Sequence, residues 1–217
     1  MTTVRPLRRA ALLCGLAVLA APAIAQDAYP SKPITIVVGY PPGGSTDLTA
    51  RTVATELGNK LGVPVVIENL GGAGGAIGAQ KVANAAPDGY TLLVGANNEI
   101  AINKLVTKKV KYDLKDFTAI GLIASQPLVL VASTGAGVKN LAEFTQKVSK
   151  NPGKFSYGSS GVGTALHLAG EAVKEQGKLF MTHIPYRGVA PLTSDLMGNN
   201  LELSLIHISE PTRPERI

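Results

Sequence analysis

The chain reads as an α/β protein built on parallel sheets, and three observations carry that reading. Short apolar or β-branched runs alternate with helix-length segments at strand–helix–strand intervals. Glycine-rich loops sit where strands hand over to helices. The apolar share of the 217 residues is 45% against 17% charged, enough to fill a core and too much for a disordered chain.

Ile34 to Val38 is a β-branched run closed by Gly39, the pattern of a strand covered on both faces. Thr46 to Leu61 follows as a helix, with Leu48, Val53, Leu57 and Leu61 near one stripe and Gly62 as its stop. Val63 to Ile67 is a second strand. A glycine-rich loop, Gly71 to Gly75, precedes a helix at Ala76 to Ala85. Pro87-Asp88-Gly89 is a turn, and Thr91 to Val94 a third strand. Two extended runs, Phe117 to Ser125 and Leu128 to Ser133, adjoin at Gln126-Pro127, where a domain crossing is expected. The alternation then resumes with a helix at Leu141 to Lys150, a strand at Phe155 to Tyr157 and a helix at Thr164 to Glu175. A strand at Phe180 to Ile184 and a helix at Pro191 to Met197 follow.

The formal net charge of +6 invites a nucleic-acid reading, but its distribution opposes one. Arg5, Arg8 and Arg9 precede an almost wholly apolar run from Ala10 to Ala21, and Ala23-Ile24-Ala25 follows. A basic start, an apolar run too short to span a bilayer and a small-x-small site describe a secretory leader over residues 1–25. Cleavage after Ala25 removes Cys14, the only cysteine, leaving a chain suited to an oxidising compartment. Residues 203–217 look foreign. Leu203 to Pro214 reads like a sequencing-adapter translation fused in frame, although Leu201, Leu203 and Leu205 also alternate as a strand would. Without the leader and this tail, 16 basic residues face 13 acidic ones, scattered and with few aromatics among them. No nucleic-acid partner is expected.

Two loops hold the candidate chemistry. Tyr40-Pro41-Pro42-Gly43-Gly44-Ser45-Thr46-Asp47 joins the first strand to the first helix. Its glycines let backbone N–H groups approach a ligand, Ser45 and Thr46 add hydroxyls, and the helix N-terminus favours an anion. Asp47 suits the helix dipole but would repel that anion. Tyr157-Gly158-Ser159-Ser160-Gly161-Val162-Gly163-Thr164 repeats the device, and the two loops could face each other across a cleft. Other chemistries fail on spacing. Ile77 stands where Gly72-Ala73-Gly74-Gly75-Ala76 needs a glycine to complete a dinucleotide fingerprint, and no Gly-Lys-Ser/Thr occurs. Val162 breaks G-x-S-x-G around Ser160. His167 and His183 are too few and too far apart in sequence for a metal set. No cofactor is expected, and no nucleophile–base–acid set emerges.

These stretches together resemble the periplasmic substrate-binding proteins of tripartite tricarboxylate transporters, the Bug-type receptors. Pro42, Gly43, Gly44, Asp47, Ala50 and Arg51 match one motif of that family. Glu68, Asn69, Gly72, Ala73, Gly74 and Gly75 match a second, with Leu70 and Gly71 replacing its Arg and Pro. Ala86 to Leu92 gives a third in full, and Lys115 to Thr118, Tyr157 to Glu171 and His183 to Gly188 resemble three more. The resemblance implies a two-domain periplasmic binding protein (Venus-flytrap) fold. Domain I would cover 26–125 and domain II 126–202, and the second crossing and return to domain I would be missing. It also implies a receptor, not an enzyme, that acts as a monomer and delivers a small carboxylated solute to membrane permease subunits. A secreted α/β enzyme and a ligand-presenting sensor are the alternatives. By position it carries ligand binding onto Tyr40, Gly43, Gly44, Ser45, Thr46, Asn97, Ser159, Ser160, Gly161, Thr164, His167 and Tyr186. Leu70 in place of Arg takes a positive group from the cleft.

N-terminal sequencing of periplasmic material from a Gram-negative host should begin at Gln26. Intact leader recovered from the cytoplasm would contradict the export reading.

Overall fold

The structure is a computed structural model describing residues 28–207. The leader expected at 1–25 and residues 208–217 of the expected tail lie outside the described residues. Two separate sheets organise the rest.

The first sheet has three parallel strands in the order β2–β1–β3: β1 Ile34–Val38, β2 Val65–Asn69 and β3 Thr91–Val94. Its central strand has a parallel neighbour on each side, and Ile34, Ile36, Val37 and Val38 are all buried, which explains the uninterrupted β-branched run. Strand β2 begins two positions later than its apolar run suggests, because Ile34 pairs with Val65 and Val38 with Asn69. That register brings Asn69 to the carboxyl end of the sheet.

Helix α1, Ser45–Leu61, packs on β1 and β2, and α2, Ala76–Ala83, on β1 and β3. The buried face of α1 is not the leucine stripe expected from sequence. Leu48 is exposed, and Asp47, Ala50 and Ala54 face inward, the alanines joining a core of Ile36, Val38, Tyr40 and Val94. Small side chains let the helix axis approach the sheet, and bulky leucines on that face would hold it away. A similar approach occurs at α2, where a β-carbon on Gly78 would lie 2.9 Å from Gly39 Cα.

After β3 the chain makes a π-helical turn, Asn98–Ile102, continued by the short α3, Asn103–Val106. Phe117 to Ser125, expected as an extended run, forms no strand among the described residues, and Ile120 and Leu122 are 84% and 87% exposed.

The second sheet has four strands in the order β4–β7–β5–β6: β4 Leu128–Ala132, β5 Ser156–Ser159, β6 Thr182–Pro185 and β7 Leu203–His207. Strands β5, β6 and β7 run parallel, and β4 runs antiparallel to β7. The sheet thus extends past residue 202, and the Leu203, Leu205 alternation is a strand here. Helix α4, Leu141–Lys150, buries Phe144 and Val148, one turn apart, and Asn140 caps it by accepting the Glu143 N–H. These side chains join Tyr157, Met181 and Leu203 on one sheet face. On the other, Leu192 and Leu196 of α6, Val189–Met197, meet Leu201, Val131 and Ile206. Helix α5, Ala165–Gly177, lies over β5 and β7.

Gly170 in α5 gives a test. Alanine is ordinarily the better helix residue by up to about 1 kcal/mol. Here its β-carbon would stand 2.2 Å from the Tyr157 ring, which is fully buried and tied through its hydroxyl to Glu171. Overpacking should win, and Gly170→Ala should destabilise by about 1–3 kcal/mol in denaturant melts.

Candidate functional site

The carboxyl ends of both sets of parallel strands point at one another. A β-carbon on Gly74 would lie 3.2 Å from Thr164 Cγ2, one on Gly161 3.8 Å from Gly74 Cα, and one on Gly188 2.9 Å from Pro41 Cδ. The loop after β1 and the loop after β2 thus face the loop after β5 and the start of α6, the edge at which open α/β sheets take ligands.

Asp47 shapes the first loop. It is buried, and its carboxylate accepts the Gly43 N–H at 2.9 Å, Arg51 Nε at 2.9 Å and Asn69 Nδ2 at 2.8 Å. Burial alone would raise its pKa, but these three partners together hold it below the ordinary carboxylate value. Asn69 also donates to the Tyr40 carbonyl at 3.0 Å. The ambiguity over Asp47 is therefore resolved inward: it braces the loop. Gly44 is the N-cap of α1 and supplies no side-chain cap, so the first N–H groups of that helix have no side-chain acceptor. The Ser45 and Thr46 hydroxyls beside them have no hydrogen-bond partner among the described residues.

The second loop divides in the same way. Ser159, fully buried at the end of β5, bonds Gly161 O at 3.0 Å and receives the Gly161 N–H at 3.2 Å. Thr164 caps α5 and donates to Gly161 O at 2.8 Å. His167 Nδ1 accepts the Gly163 N–H at 3.0 Å. Tyr186 donates to Asp195 at 2.7 Å, and burial, helped by that carboxylate, pushes its pKa up to about 12. These four side chains hold the loop and its rim. The Ser160 hydroxyl, next to them, has no partner among the described residues.

His167 and His183, distant in sequence, stack with ring centres 4.1 Å apart, and His183 stacks on Tyr157 as well. His183 Nε2 lies 2.7 Å from Ser159 Oγ. Burial and the neighbouring His167 push the His183 pKa down to about 4.

Sequence reasoning missed the residues just past Asn97, which is itself exposed. Asn98, Glu99 and Asn103 are buried, because the π-helical turn brings positions five apart onto one face. Asn103 donates to Gly74 O at 2.9 Å. Asn98 donates to the Tyr40 hydroxyl at 2.6 Å, and Tyr40 donates toward Glu99 Oε2 at 3.2 Å. Glu99 Oε2 also accepts the Ala96 N–H at 3.1 Å, while Oε1 has no partner. Burial raises the Glu99 pKa to about 7. The signal was the polar Asn97-Asn98-Glu99 string at a strand end. Gly75, at φ 88°, adds a second constraint: any β-carbon there would come within 2.6 Å of the Glu99 side chain.

Residues 49–213 match a family model described as the tripartite tricarboxylate transporter family receptor. A UPF0065 protein of Bordetella pertussis is 40% identical over 92% of this chain and 61% of its own length. The chain spans only just over half to about three fifths of the curated relatives it matches. A Rhodopseudomonas palustris protein solved with adipate superposes with a TM-score of 0.80 at 33% identity, covering 82% of this chain and 60% of that one. A second protein from that organism, with bound malate, gives 0.77 at 30%, covering 82% and 61%.

The two shifted groups oppose each other in a narrow pH window. Glu99 keeps its proton to about pH 7 in the fold, against an ordinary value of 4.5, so its contribution to stability is full below 4.5 and lost as pH rises to 7. His183 runs the other way: its contribution is full above its ordinary 6.5 and lost as pH falls to about 4. Between pH 4.5 and 6.5 the two should largely cancel. Glu99→Gln should make the melting temperature rise with pH across that window, and His183→Gln should make it fall. A flat profile in both variants would contradict the assignment.

Proposed function

The chain belongs to the tripartite tricarboxylate transporter receptor family, and on that premise we propose that it binds a small carboxylate between its two loop clusters and delivers it to membrane permease subunits. The observation that carries this reading is the division of labour at the site. Asp47, Ser159, Thr164 and His167 are committed to holding loops. Ser45 and Thr46, at the uncapped N-terminus of α1, and Ser160, in the loop after β5, are left with hydroxyls that no other described group engages. Hydroxyls and first-turn N–H groups at a helix N-terminus suit a carboxylate. The adipate and malate held by two related proteins belong to the same chemical class. The apolar leader supports a periplasmic location, and closure on the solute of two lobes, the first built on sheet β2–β1–β3 and the second on sheet β4–β7–β5–β6, would be the working motion.

The Ser159–His183 pair is the one observation that favours an enzyme, and its environment opposes that use. A base near pKa 4 takes up little proton at neutral pH, and Ser159 is wholly buried. The carboxylate of Glu171 is engaged by Tyr157 and Lys174 rather than by His183. We read the pair as part of the loop's frame and the protein as a receptor without catalysis.

A thermal-shift screen against adipate, malate and other mono- and dicarboxylates tests the proposal. A ligand at 100 times its Kd should stabilise the fold by about 2.7 kcal/mol. Ser160→Ala should weaken that ligand by about 1 kcal/mol, roughly fivefold in Kd. A screen in which no carboxylate moves the melt while a nucleotide or cation does would overturn it.

A further inference from the structure

Where the loop after β2 faces the loop after β5, Asn98 bonds in both directions. Its Nδ2 donates to the Tyr40 hydroxyl at 2.6 Å, within the first lobe. Its Oδ1 accepts the backbone N–H of Ala165 at 2.8 Å, from the second. The other hydrogen bonds described for these loop clusters stay within their own lobe, and the remaining contacts are van der Waals packing, including Gly74 on Thr164 and Gly161, Val106 on Gly163, and Pro41 on Gly188.

Both ends of this connection are well placed. Tyr40 is 6% exposed and lies among Glu99, Gly74 and Asn98, so it is a rigid anchor. Ala165 is the first residue of α5, and its N–H is one of the donors that an α-helix leaves without an internal partner. The Thr164 cap reaches the His167 N–H and leaves the Ala165 donor to Asn98.

We propose that Asn98 is a positioning residue that latches the two lobes, with the Tyr40 hydroxyl as anchor and the Ala165 N–H as catch. Because the carboxamide is neutral, it satisfies the helix donor without placing a charge in the cleft. Being one hydrogen bond, the latch biases the lobes toward each other without locking them. Its loss should shift the ratio of open to closed forms by roughly fivefold.

The latch can be cut from either side. Asn98→Ala removes the acceptor. Ala165→Pro removes the donor and leaves the helix start intact, because proline suits the first helical position and the preceding Thr164 is already extended at φ −74°, ψ 164°. Spin labels at Leu48→Cys on α1 and Met197→Cys on α6, both exposed, report the distance between lobes in the full chain carrying Cys14→Ser. Pulsed electron paramagnetic resonance without added carboxylate should show a longer, broader distribution for each single variant. The double variant should move no further than either single one, the mark of a shared interaction. Wild-type distances in either folded single variant, or shifts that add in the double, would overturn the latch. Should Asn98→Ala fail to fold, Ala165→Pro decides alone. The measurement involves no ligand, so its failure leaves the carboxylate proposal standing, and the reverse holds too.

Discussion

Much of the first lobe's geometry hangs on one buried carboxylate. Asp47 sits in the first turn of α1, where a negative charge suits the helix dipole, yet its own helix supplies only one of its side-chain and loop partners. Its partners come from three places: the loop before it at Gly43, the next turn of its helix at Arg51, and the end of β2 at Asn69. Removing the side chain would take an acceptor from the half-buried Asn69 amide, from the Gly43 N–H and from Arg51 at once, and partly desolvated donors that lose an acceptor are costly. The brace also explains why α1 presents alanines inward: the helix must lie close to the sheet for Asp47 to reach Asn69.

The second lobe solves the same problem with neutral groups. Ser159, Thr164 and His167 exchange hydrogen bonds around Gly161 and Gly163, and the stacked His183 and Tyr157 rings back the arrangement from the sheet. In both loops most polar side chains are committed to bracing the backbone, and a few hydroxyls and main-chain amides are left over. Hydroxyls and main-chain amides of this kind set no demanding geometry for a partner.

Periodicity and glycine placement made the strands and both loops legible, and β1 could be read directly because a central parallel strand is apolar on both faces. Helix α1 was misread because a leucine stripe is the usual sign of a buried face, whereas close approach to the sheet selected Ala50 and Ala54. At the site, side-chain chemistry picked out two loops that the structure brings close together, but not the direction in which each group points. Ser159 and Ser160 are identical in sequence terms, and only the strand's alternation separates the bracing one from the available one. Asn98 was missed in favour of Asn97 because a π-helical turn changes the helical period, which no local pattern announces. The His167–His183 stack depends on the pairing of β5 with β6, a long-range fact.

The strand order of the second sheet has a consequence for how the chain acquires its shape. Among the described residues β4 pairs only with β7, which follows it by about seventy residues and separates it from β5. During synthesis β5 and β6 can pair early, but β4 must wait, its backbone donors and acceptors exposed, until Leu203–His207 has emerged. Closing so long a loop is slow, and an unpaired strand is prone to join the wrong neighbour meanwhile. The long-range β4–β7 pairing makes the second sheet the topologically slower one to complete, while the strands of the first are separated by one helix each.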